Sequence, residues 1–198
     1  MKTDTKQKIL DTARALFNNY GYNSVSLRDS EDCRDQRRQF DLSLQKKENL
    51  MESLISETKD TLPAKVPQTL EELDAIFLDQ QQAVQRNLYF FLHYAQLSQI
   101  SPEICQKQHT RYGTLLKKFR LAFQNLQKTG LFRAELFPGE YDNMVDTLYM
   151  SIIYWAPFME LKKLIHTENT EYQRYAWRSI YHLMTEKGRF ELQAIIQI

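Results

Sequence analysis

The sequence predicts an all-α protein, on three observations. Glycine and proline number only five each in 198 residues, while Leu, Gln, Lys, Glu and Ala, all good helix formers, are plentiful. Apolar residues recur at i, i+3, i+4 and i+7 through most of the chain, and the alternation expected of strands is almost absent. A chain of this length can bury one substantial core or two small ones. Pro63 and Pro67, ahead of a long periodic run, set the expected boundary near residue 60, with a head at 1–60 and a larger body at 61–198.

From Thr5 to Tyr20 the residues Ile9, Leu10, Ala13, Leu16, Phe17 and Tyr20 share one face, opposite Lys6, Lys8, Asp11, Arg14 and Asn18. Gly21 stands where a left-handed helix end is wanted, and Ser26 with Asp29 can open the next helix as a capping box. Between Ser30 and Gln45 the pattern collapses into a charge-dense stretch with no apolar stripe beyond Phe40, Leu42 and Leu44. Periodicity returns at Lys46, with Leu50, Leu54 and Ile55 on a common face, and that helix should end near Pro63.

In the body, Thr69 and Glu72 resemble a capping box opening a helix through Ile76, Phe77, Ala83 and Val84, which the stretch Leu88–Leu97 continues or renews. After Pro102 a helix from about Glu103 to Gln127 carries Leu115, Leu116, Phe119, Ala122, Phe123 and Leu126, with Gly130 as its stop. Tyr141 to about Ile165 is apolar almost all round, which predicts a central helix or one buried against a second subunit. A last helix is expected from Glu171 to about Lys187, ending at Gly188.

Charge and composition exclude several classes. The formal net charge of +1 is not that of a polycation that coats nucleic acid or an anionic membrane, so any DNA contact is local. Cys33 and Cys105 have neither metal-ligand spacing nor a disulfide framework, which fits a reducing cytoplasm without structural metal. The N-terminus has no apolar signal core and no window approaches a membrane span, so a cytoplasmic protein is expected. His93, His109, His166 and His182 are scattered, and with no phosphate-binding glycine loop, nucleophile motif or paired-histidine helix the chain is expected to be no enzyme, with no cofactor, catalytic residue or metal ligand.

The string TKQKILDTARALFNNYGYNSVSLRD resembles the opening of the DNA-binding domain of the TetR/AcrR family of transcriptional regulators, and KKENLMESLI resembles the start of that family's fourth helix. The resemblance implies a three-helix helix-turn-helix head and a helical effector-binding and dimerisation body. It makes Ser26, Arg28, Lys46 and Lys47 phosphate anchors on an operator duplex, and puts the recognition helix at Arg37, Arg38, Gln39, Phe40 and Leu42. The middle departs from the family: the expected Ile-Ala pair, Gly-Ile-Ser turn and Tyr-His-Phe helix end are absent. Back-translated with legal codons and read one base later, residues 30–45 give QRTVGISEGNLTYHF, the missing element. Residues 30–45 are therefore read as an out-of-frame segment between two compensating shifts, the alternative being a divergent exposed loop. As written, Asp35 and Asp41 flank the arginines and no apolar stripe would dock the helix, so weak DNA binding with little dependence on sequence is expected.

For the body the resemblance implies a small-molecule effector and a homodimer. Phe91, Tyr94, Tyr112, Phe119 and Trp155 are the candidate pocket lining, with plain aromatic core as the other reading. Leu148, Ile152, Tyr175, Ile180 and Leu183 are the candidate dimer contacts. The function implied is that of a DNA-binding repressor under effector control. The alternative is a helical ligand-binding or interaction module that has lost specific DNA binding.

Overall fold

The structure, a computed structural model, describes residues 2–25, 47–57, 63–97, 99, 101–163 and 171–196. Among these residues every regular element is helical, as expected, and the one strand-like contact is an isolated antiparallel bridge between Phe132 and Met184. The chain divides into two compact units, one of Met1–Lys59 with Asn87–Lys107 and one of Asp60–Arg86 with Gln108–Ile198. The first unit thus takes in a second stretch of chain beyond the boundary that the prolines mark.

In the first unit, α1 (Lys2–Tyr20) buries Ile9, Leu10, Ala13 and Phe17, while Tyr20, at the helix end, is exposed rather than part of the stripe. Gly21 ends α1 with φ +77°, its N–H bonded to the Phe17 carbonyl, a left-handed conformation that a Cβ disfavours. Helix α2 (Lys47–Glu57) buries Leu50, Met51 and Leu54 against α1. The run after Arg86 renews rather than continues, as α4 (Leu88–Leu92) and α5 (Tyr94–Leu97). The Asn18 side-chain oxygen accepts the Tyr89 N–H at 2.9 Å, an orphan donor of the first turn of α4, and Phe17 meets Tyr89 at 6.0 Å between ring centres.

In the second unit, α3 (Leu70–Arg86) starts as the sequence predicts. The Thr69 hydroxyl accepts the Glu72 N–H at 3.2 Å, and the Glu72 carboxylate reaches back to the Gln68 N–H at 2.7 Å and to Lys65. Helix α6 (Pro102–Lys128), which begins in the first unit, buries Leu115, Phe119, Ala122, Phe123 and Leu126 and stops at Gly130, where the Leu131 N–H bonds the Leu126 carbonyl.

The predicted helix from Tyr141 to Ile165 is two helices, α7 (Glu140–Ile153) and α8 (Trp155–Leu161), with Ile165 outside the described residues. Pro157 is the physical reason. It has no N–H for the Ile153 carbonyl and its ring crowds that carbonyl, so α7 ends there and Pro157 falls in the first turn of α8, where a missing donor costs nothing. The predicted helix from Glu171 to Lys187 is likewise divided, into α9 (Glu171–Ile180), a 3₁₀ turn at Tyr181–Leu183 and α10 (Glu186–Ile195).

Gly188 is therefore not a helix stop but lies inside α10. Its N–H is bonded to the Thr185 hydroxyl, which caps α10, and a Cβ on it would lie 2.2 Å from the Leu131 carbonyl oxygen. That carbonyl accepts the Thr185 N–H, and the Leu183 carbonyl accepts the Arg133 N–H, so main chain at 131–133 and 183–185 is clipped edge to edge. Beside the clip, Glu140 is 4% exposed and takes both terminal nitrogens of Arg133, at 2.8 and 2.6 Å, and the Leu136 N–H at 2.7 Å. The Tyr141 hydroxyl donates to the Arg133 carbonyl, and burial pushes that phenol up to about 12.

Two stability effects follow. Gly188→Ala forces the Leu131 carbonyl to move and lowers stability by about 1–3 kcal/mol, whereas Gly113→Ala, inside α6 with open space around it, raises it by about 0.5–1 kcal/mol; denaturant midpoints of the two variants read both signs. The Arg133 pair holds the Glu140 carboxyl down at about 2, from an ordinary 4.5. A depressed value means that the carboxylate contributes stability above pH 4.5, which is lost as pH falls from there towards 2. Thermal midpoints of the wild type and Glu140→Gln are expected to differ at neutral pH and to converge through that window.

Candidate functional site

In the first unit the turn after Gly21 brings Tyr22 onto Phe17, ring centres 5.5 Å apart, and the Lys47 ammonium lies 4.3 Å from the centre of the Tyr22 ring. A cation over a ring face is held in place without losing its charge to an ion pair. Partial burial draws the Lys47 pKa down against the opposing pull of Glu48, and burial, with Glu48 adding, raises that of Tyr22. Lys47 also opens α2, where the first N–H groups have no partners within the helix. A half-exposed ammonium at a helix start is an arrangement that accepts a phosphate oxygen. Ser26, Arg28 and Lys46, the recognition positions Arg37, Arg38, Gln39, Phe40 and Leu42, and the whole segment 30–45 lie outside the described residues.

The five candidate pocket residues divide between the units. Phe91 and Tyr94 belong to the first, where both stand edge-on to Phe90, at 5.2 and 5.3 Å. In the second, each aromatic keeps its own partners. Phe119 is buried between Phe77 and Phe123, as core. The Tyr112 hydroxyl donates to Asp146 at 2.9 Å, a bond that raises its pKa, with Tyr149 against its ring. Trp155 meets Tyr172 and Tyr175, both at 5.3 Å.

Sequence reasoning passed over a polar group inside the body. Asp74, Gln80 and Gln81 of α3 are buried where α3 packs on α9. One oxygen of Asp74 accepts both the Trp177 indole N–H, at 2.8 Å, and the Gln173 amide, at 2.6 Å. The Gln81 oxygen accepts the Gln173 N–H, the Gln80 oxygen accepts the Tyr172 hydroxyl, and burial drives the Tyr172 phenol far upwards. The signal was present: Asp74 and Gln81 fall four and eleven residues after Leu70, on the apolar stripe itself.

Four of the five candidate dimer contacts are buried in the single chain: Leu148 and Ile152 on α7, Ile180 on α9 and Leu183 in the 3₁₀ turn. Tyr175 is exposed, and the outer face of α7 and α8 carries Met150, Tyr154, Phe158 and Leu161 in one stripe, with Tyr154 56% and Leu161 80% exposed. Backbone bonds from the Tyr154 N–H to Met150 and from the Phe158 N–H to Tyr154 keep the stripe in register across the break between the helices. Among the described histidines, His93 lies against Gly21 and Gln96, His109 is exposed, and His182 is 3.9 Å from Glu140; His166 lies outside the described residues. No helix among the described residues is long and apolar enough to cross a membrane.

No family model matches the chain, and no curated protein matches it. Its all-helical fold is similar to that of one solved structure. A solved structure of a TetR-family transcriptional regulator from Marinobacter aquaeolei VT8 superposes with a TM-score of 0.79 at 16% sequence identity, over 96% of this chain and 96% of that one.

Proposed function

We propose that this chain is a cytoplasmic, homodimeric DNA-binding transcriptional repressor of the TetR type, whose affinity for an operator duplex is controlled by a small molecule bound in the body. The observation that carries the reading is the likeness of fold to a TetR-family regulator over 96% of the chain, joined to the N-terminal string TKQKILDTARALFNNYGYNSVSLRD and to the string KKENLMESLI. Lys47, held over Tyr22, is a phosphate anchor, together with Ser26, Arg28 and Lys46. Residues 30–45, read one base later, supply the turn and the recognition helix. The second reading, a ligand-binding module without specific DNA binding, is favoured by one feature: as written, that segment has no apolar stripe with which a recognition helix could dock.

Fluorescence anisotropy on duplexes from the DNA flanking the coding region, and on scrambled duplexes, separates these readings. The chain carrying QRTVGISEGNLTYHF is expected to bind selectively, and the written chain weakly and without preference. Lys47→Ala in the restored chain is expected to weaken both duplexes alike and to flatten the slope of log K against log salt by about one. Selective, tight binding by the written chain would remove the frame reading, and no binding by either chain would remove the regulator.

The homodimer rests on the exposed stripe Met150, Tyr154, Phe158 and Leu161 together with Tyr175, an apolar face of the kind that two copies bury. Two helices from each copy would form a four-helix interface. Light scattering is expected to give twice the chain mass for the wild type and one chain mass for Tyr154→Glu with Phe158→Glu. A wild-type monomer at micromolar concentration contradicts the dimer.

A further inference from the structure

Lys47 is held by an aromatic ring and not by an acid. Its ammonium lies 4.3 Å from the centre of the Tyr22 ring, and among the described residues no carboxylate pairs with it. The ring is itself fixed. Gly21 turns the chain with φ +77°, its N–H on the Phe17 carbonyl, and the buried Phe17 ring stands 5.5 Å from that of Tyr22. Behind the turn, a Cβ on Gly21 would lie 3.3 Å from His93 Nε2, so the turn has little room to shift.

We propose that Tyr22 is the positioning residue of Lys47: its ring face, and not its hydroxyl, holds the ammonium where a backbone phosphate oxygen of a duplex takes it. The inference rests on the DNA-binding reading and deepens it. A lysine stem is flexible, and ordering it on a phosphate costs rotamer freedom; a ring that orders it beforehand removes part of that cost. A carboxylate could order it too, but would cancel the charge and repel the phosphate, whereas a ring face leaves the charge available. Burial, with Glu48 adding, raises the Tyr22 pKa, so the phenol stays neutral beside the lysine. Tyr22 thus acts on the duplex through Lys47.

The test uses the full chain and a mixed-sequence duplex at low salt, with two readouts. In the proton–carbon spectrum the Lys47 ε-methylene, assigned by its loss in Lys47→Gln, is expected upfield of ordinary lysines in wild type and Tyr22→Phe, and among them in Tyr22→Leu. In fluorescence anisotropy Tyr22→Leu is expected to bind about threefold more weakly than wild type, and Tyr22→Phe to bind as wild type does. On a Lys47→Gln background the Tyr22→Leu loss is expected to vanish, which a general loosening of the turn would not produce. Should Tyr22→Leu misfold, Tyr22→Met gives the same comparison, and the wild-type spectrum needs no variant of Tyr22. A wild-type ε-methylene at the ordinary position, equal affinity of wild type and Tyr22→Leu, Tyr22→Phe as weak as Tyr22→Leu, or a loss that persists with Lys47→Gln overturns the inference. An upfield signal with no duplex bound by wild type overturns the DNA-binding reading, and the phosphate role of Lys47 with it, while leaving the lysine on its ring.

Discussion

Trp177 and Asp74 answer each other's need, and the body is arranged around that answer. A buried indole N–H must find an acceptor and a buried carboxylate must find donors; one contact at 2.8 Å meets both demands and fixes how α3 and α9 are rotated about their axes. With that rotation set, Phe77 lies edge-on to Trp177, Phe119 lies on Phe77, and Phe123 carries the contact on to Phe132 and Tyr141. The remaining helices of the body pack on one or other member of this pair: α7 touches both, α10 touches α3, and the 3₁₀ turn extends α9.

Much of this was legible in the residues, and what was not has identifiable causes. The stripe of α1 as far as Phe17, the Thr69–Glu72 cap and the stop of α6 at Gly130 depend on local chemistry, and the structure keeps all three. Gly188 was misread because a glycine can answer two needs, a left-handed backbone or the absence of a Cβ, and only the close approach of Leu131 tells which applies. Pro157 was overlooked inside an apolar run whose hydrophobicity outweighed one missing donor. An all-round apolar helix also hides which face is inward: Leu148 and Ile152 are buried in the single chain, while Met150 and Tyr154 are exposed. Asp74 and Gln81 escaped because period analysis counts apolar residues and passes over a polar one on the same stripe.

The two kinds of likeness carry different information. The N-terminal string resembles a family opening over a short stretch with specific side chains, where turn and cap chemistry restrict each position. The fold likeness extends over the whole chain at 16% identity, as expected where packing asks only for apolar residues of suitable volume at the right period. The helical scaffold can therefore be shared by chains with few residues in common.

The first unit is discontinuous along the chain, residues 1–59 being completed only by 87–107. A nascent polypeptide leaving the ribosome exposes Phe17 and Asn18 well before α4, which supplies Tyr89 to both, has been translated. Until then the apolar face of α1 has only part of its cover, and synthesis must pass through all of α3 before the remainder arrives. A gene fragment cut after codon 60 would encode residues 1–59 without the 87–107 stretch that completes their unit.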